Sequence, residues 1–225
     1  MSPSSVSPPD IVDVRPPEDV RLPPGQIRTQ KWPVLHYGTV PKVDPATWSF
    51  EVRGAVANPL TLGWAELEPL PRRETVCDIH CVTRWSRYDN RFSGVPVQVL
   101  LARARPAPTA KYVLVHSEHG FTTNLPLDDL DRPANLLALT YNGEPLTAEH
   151  GGPVRLLVPH PYLWKSAKWV RGFELLEDDT RDSGSRTATT CGAILGRSNA
   201  TVGQTIPECD GARSPDRRPG RPATR

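Results

Sequence analysis

Hydrophobic positions along the chain form short runs that match strand lengths more often than helix lengths. Apolar or alternating runs, bounded by Gly, Pro and Asn, occur in T-W-S-F-E-V-R-G, K-Y-V-L-V-H-S and P-V-R-L-L-V-P. Leucines recur at helical spacing in L-G-W-A-E-L-E-P-L, V-P-V-Q-V-L-L-A-R-A and L-P-L-D-D-L. The pattern predicts a strand-rich α+β fold with short helices.

Proline content divides the chain into a structured middle and two ends of different character. The 225 residues, 37% of them hydrophobic, suffice for one sizeable domain, and the 26 prolines are densest in the first 25 residues. Residues 1–25 contain little to bury, so we expect a flexible proline-rich arm, with order beginning at Gln26. The predicted domain covers residues 26–180, and residues 181–225 form a predicted disordered tail.

Charge and composition exclude several classes of protein. The formal net charge of +2 is close to balance, which argues against a general nucleic-acid binder or a membrane-surface protein. No apolar run approaches the roughly 20 residues that a membrane-spanning helix needs. The sequence has no export signal, so a cytoplasmic location is expected, and its four unevenly spaced cysteines are expected to be reduced thiols.

The candidate chemistry centres on Cys81 in the string D-I-H-C-V-T-R-W-S. A thiolate is a soft metal ligand, but one cysteine cannot hold a metal alone, so other ligands must come from elsewhere. Two other interpretations stay open at this point. Cys81 could be a buried structural thiol, or it could pair with Cys77 in a zinc or thiol-redox site, although the usual zinc spacings are absent.

Several segments together resemble the molybdopterin-binding domain of the sulfite oxidase family, and in particular its small bacterial sulfite oxidase-like oxidoreductases. The resemblance runs from about Arg28 to Asp179, with R-L-P-P-G-Q just ahead of it. Its most specific segments, in the family's order, are K-W-P-V-L-H-Y-G, D-I-H-C-V-T-R-W-S, F-T-T-N-L-P-L, Y-N-G-E-P-L-T-A-E-H-G-G-P-V-R-L-L-V-P and W-K-S-A-K-W-V. The implied fold has mixed and antiparallel sheets.

The resemblance also implies a molybdenum–molybdopterin cofactor, in which one pterin dithiolene and the thiolate matching Cys81 coordinate the metal. Positions that match cofactor-binding segments of the family are His36, Tyr37, His150, Arg155, Lys165, Ser166 and Lys168. Thr122, Thr123 and Asn124 are weaker candidates, because polar residues at a strand end are often turn formers. Lys165, Ser166 and Lys168 match the segment that surrounds the phosphate end of the cofactor.

The implied activity is a two-electron oxygen-atom transfer on a small oxyanion or sulfoxide-type substrate. Arg84, three residues beyond the thiolate, is a candidate catalytic cation that stabilises an oxyanion, with a surface ion pair as the alternative. Because no haem-binding domain is evident, a separate electron-transfer partner is expected. The alternative for the whole chain is a catalytically impaired remnant or interaction module.

The segment after Thr180 departs from the family, which normally ends in an aromatic-rich segment. Residues 181–201 read R-D-S-G-S-R-T-A-T-T-C-G-A-I-L-G-R-S-N-A-T, without hydrophobic periodicity. With a suitable choice of permitted codons, reading one base earlier gives P-G-F-W-E-P-H-G-Y-H-M-R-G-D-P-W-A-E-Q-R-Y, which resembles the family ending. We therefore hypothesise that residues 181–225 are an out-of-frame product. By resemblance, the family ending that they replace carries a tyrosine near the metal, so its absence is expected to impair activity.

Overall fold

The computed structural model describes residues 10–36, 38–161 and 163–179, which form a strand-rich α+β fold. The strands are β1 Asp10–Asp13, β2 Ile27–Arg28, β3 Ser49–Gly54, β4 Leu60–Gly63, β5 Arg73–Cys81, β6 Trp85–Pro96, β7 Tyr112–Ser117, β8 Thr122–Pro126, β9 Leu136–Tyr141, β10 Glu144–Pro145, β11 Arg155–Leu157 and β12 Val170–Leu176. The α-helices are α1 Trp64–Leu67, α2 Val97–Ala104 and α3 Leu127–Leu130, with 3₁₀ turns at Glu18–Val20, Pro45–Thr47, Glu118–Gly120, Ala148–His150 and Leu163–Lys165. The predicted fold class is confirmed.

Local hydrophobic pattern explains why six of these elements form where the sequence predicts them. The three apolar runs contain β3, β7 and β11, and the three leucine-rich segments contain α1, α2 and α3. The longest helix, α2, buries Val97, Leu100, Leu101 and Ala104, which recur at the spacing of one helical face. Burial of this face fixes α2 against the main core.

Two sheets organise the described residues. One sheet has the strand order β1-β5-β6-β9-β10, with β11 also paired to β9 and β2 to β6. The other has the order β4-β3-β12-β7-β8. Strands pair in parallel at β1–β5, β2–β6 and β3–β12, while the other pairs are antiparallel. This mixture agrees with the predicted mixed and antiparallel sheets.

The long β5–β6 hairpin carries the candidate ligand at its tip. Cys81 is the last residue of β5, and β6 begins at Trp85. The backbone N–H of Arg84 donates to the carbonyl oxygen of Cys81 at 3.0 Å, which closes the turn. Arg84 adopts the left-handed region with φ of 66°. The tight turn therefore holds Cys81 at one end of the seven-stranded sheet.

The N-terminal segment differs from the expected flexible arm. Residues Asp10–Asp13 form β1 and pair in parallel with β5, and Arg21 binds the buried carboxylate of Asp78 through two hydrogen bonds of 2.6 and 2.8 Å. Backbone pairing and a charge-assisted contact hold this segment, although Ile11 is 52% exposed. Hydrophobic content could not reveal such contacts, because they bury little apolar surface.

Two further predictions concern membrane-spanning helices and the C-terminal tail. Within the described residues, no helix has the length and apolar character needed to cross a membrane. The predicted disordered, out-of-frame tail of residues 181–225 lies outside the described residues, as does the flexible arm for residues 1–9.

Candidate functional site

A cavity of about 430 Å³ opens beside the tip of the β5–β6 hairpin. Its apolar lining is Trp32, Pro33, Leu35, Val82, Trp85, Phe121, Leu163, Trp164 and Trp169. Its polar lining is His36, Cys81, Thr83, Glu118, Arg155, Ser166 and Lys168. The cavity thus combines an aromatic wall with a few polar groups, which is typical of a small-molecule or cofactor site.

Cys81 lines this cavity, and its sulfur is held by a hydrogen bond. The residue is 7% exposed, and its Sγ accepts a hydrogen bond from the Thr83 hydroxyl at 3.1 Å. Its carbonyl oxygen accepts a second contact from the Gln26 side-chain amide at 3.0 Å, besides that from Arg84. The sulfur is therefore oriented from its own turn and from the N-terminal segment.

Gln26 is itself fixed by a chain of polar contacts behind the cysteine. The Ser86 hydroxyl donates to Gln26 Oε1 at 3.2 Å, and His80 Nδ1 lies 2.8 Å from Ser86 Oγ. Burial lowers the pKa of His80, which favours its neutral form. His80 does not line the cavity and supports Cys81 only indirectly.

Arg155 places a buried guanidinium at the cavity wall. It is 1% exposed, and its Nη1 and Nη2 donate to the carbonyl oxygens of His150 at 2.8 Å and Ser166 at 2.9 Å. Its Nε has no hydrogen-bond partner, and no carboxylate among the described residues pairs with it. Burial lowers the pKa of Arg155 to about 10. A buried cation with one unused donor is suited to a polar or anionic acceptor.

His150 lies next to Arg155 and stacks on a cavity-lining tryptophan. Its ring is 4.0 Å from the Trp32 ring, centroid to centroid, at an interplanar angle of 11°. Burial, and then the charges of Lys168 and Arg155, lower the pKa of His150 to about 4. His150 is therefore neutral near pH 7, and its buried Nδ1 has no hydrogen-bond partner.

Lys168 and His36 lie at the outer part of the cavity. Lys168 Nζ donates to the carbonyl oxygens of Leu35 at 2.8 Å and Glu149 at 2.5 Å, and desolvation together with Arg155 lowers its pKa to about 8. The His36 ring lies 5.9 Å from that of Trp169. Lys168 and His36 both come from segments that the sequence predicted to bind cofactor.

Other predicted residues do not line the cavity. Arg84 has an exposed side chain outside the lining, and Thr123 is buried in β8. Lys165 Nζ donates to the carbonyl and side-chain oxygens of Asn124 at 2.6 and 2.8 Å, which fixes it to β8 near Thr122. Tyr37 lies outside the described residues.

Three contributors to the site were not predicted from the sequence. Trp32, Thr83 and Gln26 contact the predicted residues, but an isolated threonine or glutamine carries no signal of its own. The available indication was that all three lie in segments that carry the family resemblance: K-W-P-V-L-H-Y-G, D-I-H-C-V-T-R-W-S and R-L-P-P-G-Q. Cys77 does not line the cavity, and burial raises the pKa of its thiol.

A polar, planar cofactor with acceptor atoms fits the cavity wall. Trp85 Nε1, Trp164 Nε1 and Arg155 Nε are buried donors without hydrogen-bond partners, and all three residues line the cavity. Native proteins rarely leave such groups unpaired, so several together indicate a bound acceptor. Within the described part of the chain, no group of three or more His, Cys, Asp or Glu residues could hold a metal by itself. Fold and site together are those of a protein that binds a small polar cofactor.

Comparison with known proteins agrees with this class. A family model described as the oxidoreductase molybdopterin binding domain matches residues 37–183. The uncharacterized oxidoreductase YuiH of Bacillus subtilis (strain 168) is 47% identical over 160 residues, which cover 71% of this chain and 81% of that protein. The chain belongs to the molybdopterin-binding oxidoreductase family, and the resemblance predicted from its motifs is confirmed.

More distant similarities extend the comparison. The catalytic subunit MsrP of a protein-methionine-sulfoxide reductase from Gluconobacter oxydans (strain 621H) is 29% identical over 187 residues, covering 69% of this chain and 60% of that protein. The crystal structure of the sulfane dehydrogenase SoxCD from Paracoccus pantotrophus matches with a TM-score of 0.59 at 24% identity, covering 64% of this chain and 41% of that chain. The SoxCD match supports the fold.

Proposed function

We propose that the chain uses a molybdenum–molybdopterin cofactor for two-electron oxygen-atom transfer on a small substrate. The observation that carries this proposal is a cavity lined by Cys81 and by three residues that each have a buried, unpartnered N–H donor. A thiolate supplies a soft metal ligand, while the donors suit the heteroatoms of a pterin. Family membership makes this cofactor the chemically consistent choice.

The residues of the cavity divide between metal and pterin. Cys81 would hold the molybdenum, Arg155 and His36 would contact the pterin, and Ser166 and Lys168 would bind its phosphate end. His150 lies outside the lining and would act from behind Trp32 and Arg155. When bound, the cofactor supplies exchange of two electrons and one oxygen atom with the substrate. Thr83 orients the cysteine sulfur, and tryptophan side chains line the cavity around it.

The lining favours a neutral sulfoxide over a sulfur oxyanion as substrate. A dianion would need cations that are free to face it, but the lining cations Arg155 and Lys168 donate to backbone carbonyls and are assigned to the cofactor. Arg84 lies outside the lining, and Arg87 binds Asn90 and Tyr141. The residues nearest Cys81 in the chain that line the cavity are Val82, Thr83 and Trp85. The similarity to MsrP also favours sulfoxide reduction. The balanced reaction is sulfoxide plus two electrons and two protons to thioether and water.

Metal analysis combined with a Cys81→Ser variant tests the proposal. Purified protein should contain molybdenum and pterin in near-stoichiometric amounts and reduce an aryl methyl sulfoxide with reduced benzyl viologen as the electron donor. Cys81→Ser should lose the sulfur-to-metal charge-transfer absorption and at least about ten-fold of this activity, because a serine hydroxyl is a harder ligand. Cys77→Ala is the matched control and should retain both.

Two outcomes would contradict the proposal. A Cys81→Ser variant with a full metal load and an unchanged spectrum would show that the sulfur is not a ligand. Wild-type protein without molybdenum and pterin would favour the alternative of an impaired remnant or interaction module.

A further inference from the structure

The outer side of the Cys81 turn presents a cluster of cations without acidic neighbours in its own segments. Residues 26–36 and 79–88 contain Arg28, Lys31, Arg84 and Arg87 and no aspartate or glutamate. The two segments are joined, because β2 pairs with the start of β6 through Ile27–Trp85 and Arg28–Ser86. We call these four cations, together with the exposed Ile27, the basic patch.

The cations of the basic patch are not neutralised by ion pairs. Among the described residues, Arg28, Lys31 and Arg84 have no carboxylate partner, and Arg87 is bound by the Gln30 carbonyl, Asn90 and Tyr141. Four acids flank the patch and are already paired: Glu18, Asp78 and Asp89 with Arg21, and Asp13 and Asp89 with Arg15. The four patch cations with Arg15 and Arg21 make six positive charges against these four negative ones, an excess of two. The patch therefore carries a local excess of positive charge on a chain that is near neutral overall.

An apolar centre accompanies this charge. Ile27 is 72% exposed, and Val34 and Leu35, at 40% and 51%, follow on the same segment towards the cavity rim. An exposed apolar group with surrounding cations matches the composition of transient protein interfaces that use charge for steering.

The basic patch is also directly connected to the candidate metal ligand. Ile27 N–H donates to the Arg84 carbonyl at 3.0 Å, Arg84 N–H donates to the Cys81 carbonyl at 3.0 Å, and the Gln26 amide contacts the same Cys81 oxygen at 3.0 Å. A partner bound at this patch would lie close to the cysteine turn, where electrons must enter or leave.

We propose that the basic patch is the docking surface for an acidic one-electron carrier protein, an inference that rests on the proposed function. Each catalytic cycle needs two single-electron transfers from such a carrier, in which the carrier is oxidised and the enzyme is reduced. Electrostatic attraction between an acidic carrier and the patch would raise the association rate and orient the carrier towards Cys81.

Reduction of the oxidised holoenzyme by a reduced plant-type [2Fe–2S] ferredoxin, an acidic one-electron carrier, tests this inference without any substrate. Stopped-flow absorbance should give a second-order rate constant that falls with salt, and the Arg28→Glu/Lys31→Glu variant should lower it at least about ten-fold at low salt. The control Arg103→Glu/Lys111→Glu changes two exposed cations elsewhere by the same total charge and should leave the rate within about two-fold.

A small donor separates this inference from the proposed function. Reduced benzyl viologen should reduce the wild type and both double variants at similar rates, since it needs no docking surface. Equal, salt-independent ferredoxin rates for all three proteins would overturn the docking surface while leaving the proposed function intact. Failure of viologen to reduce any of the proteins would overturn the proposed function, and the inference with it. If the patch variant lost only affinity for a single-stranded oligonucleotide, the patch would be a nucleic-acid site instead.

Discussion

At the residue scale, the hydrogen bond to the Cys81 sulfur determines how much electron density the sulfur would donate to a bound metal. The sulfur receives a hydrogen bond from Thr83 at 3.1 Å. Hydrogen bonds to a ligating sulfur withdraw electron density from it, and such outer contacts tune a metal centre. Thr83 is thus a positioning and tuning residue rather than a ligand.

Replacing Thr83 with valine should change the metal centre without removing it. Loss of one hydrogen bond, worth about 1 kcal/mol, should lower the potential of the two-electron couple by about 20 mV. The charge-transfer absorption should move to lower energy because the sulfur becomes a stronger donor. Potentiometric titration and visible spectroscopy measure both effects.

Thr83→Ser is the matched control, because it keeps the hydroxyl. Its potential and spectrum should stay close to those of the wild type. Identical spectra for the valine and wild-type proteins would show that the contact has no electronic effect.

The lowered pKa of His150 predicts how the stability of the cofactor-free protein depends on pH. Its pKa is about 4 in the folded protein and 6.5 in the reference state, so the unfolded chain binds the proton more readily between these values. Stability should therefore be unaffected by this group above about pH 6.5 and fall as the pH drops towards 4. Urea unfolding at a series of pH values measures this slope, and His150→Gln should reduce it. A slope that is unchanged in the variant would assign the acid sensitivity to other groups.

At the element scale, the sequence predicted those elements whose apolar pattern is regular. Helix α2 and strand β7 were predicted because one face is buried in each. The β5–β6 hairpin was not, because β5 is buried along nearly its whole length and shows no alternation. Strand β1 was missed for the opposite reason, since it buries almost nothing.

In the site too, residues in recognisable motifs could be predicted, whereas residues that act through contacts distant in sequence could not. Cys81, Arg155 and Lys168 could be predicted from their motifs, and the cavity brings them together. The contributions of Trp32 and Gln26 depend on contacts that cross many residues of sequence, to His150 and to Cys81. Arg84 could not be placed from the sequence, because its left-handed conformation decides where its side chain points.

The turn before β11 depends on a glycine at position 151. Gly151 has φ of 102°, and a Cβ added there would lie 2.9 Å from Lys168 Cβ. Gly151→Ala should cost about 1–3 kcal/mol of stability from backbone strain alone and displace Lys168, which lowers cofactor retention. Thermal unfolding and molybdenum content measure the two effects.

Gly143→Ala is a suitable control for this prediction. Gly143 has φ of 87°, and an added Cβ would meet nothing within 4 Å. It should show the backbone cost but keep the molybdenum content. Equal metal loss in both variants would mean that strain, not contact with Lys168, is responsible.

At the scale of the whole molecule, the hypothesis of an out-of-frame tail stays a prediction. Replacing residues 181–201 with the alternative-frame sequence should raise molybdenum retention, because that sequence resembles the family ending. A Gly/Ser segment of equal length is the control and should not. Resequencing the gene and measuring the mass of the protein test the frame directly, and a single intact frame would contradict the hypothesis.

The ion pair between Arg21 and Asp78 affects where the chain can be shortened. The composition of the first residues invites truncation just before Gln26, yet that cut would remove β1 and leave the Asp78 side chain, 1% exposed, without its counter-ion. Because the cut also removes chain that covers Asp78, the loss is that of the β1–β5 pairing and of the charge-assisted hydrogen bonds from Arg21, each worth about 1.5–3 kcal/mol. A trimmed version for crystallisation should therefore start upstream of Asp10.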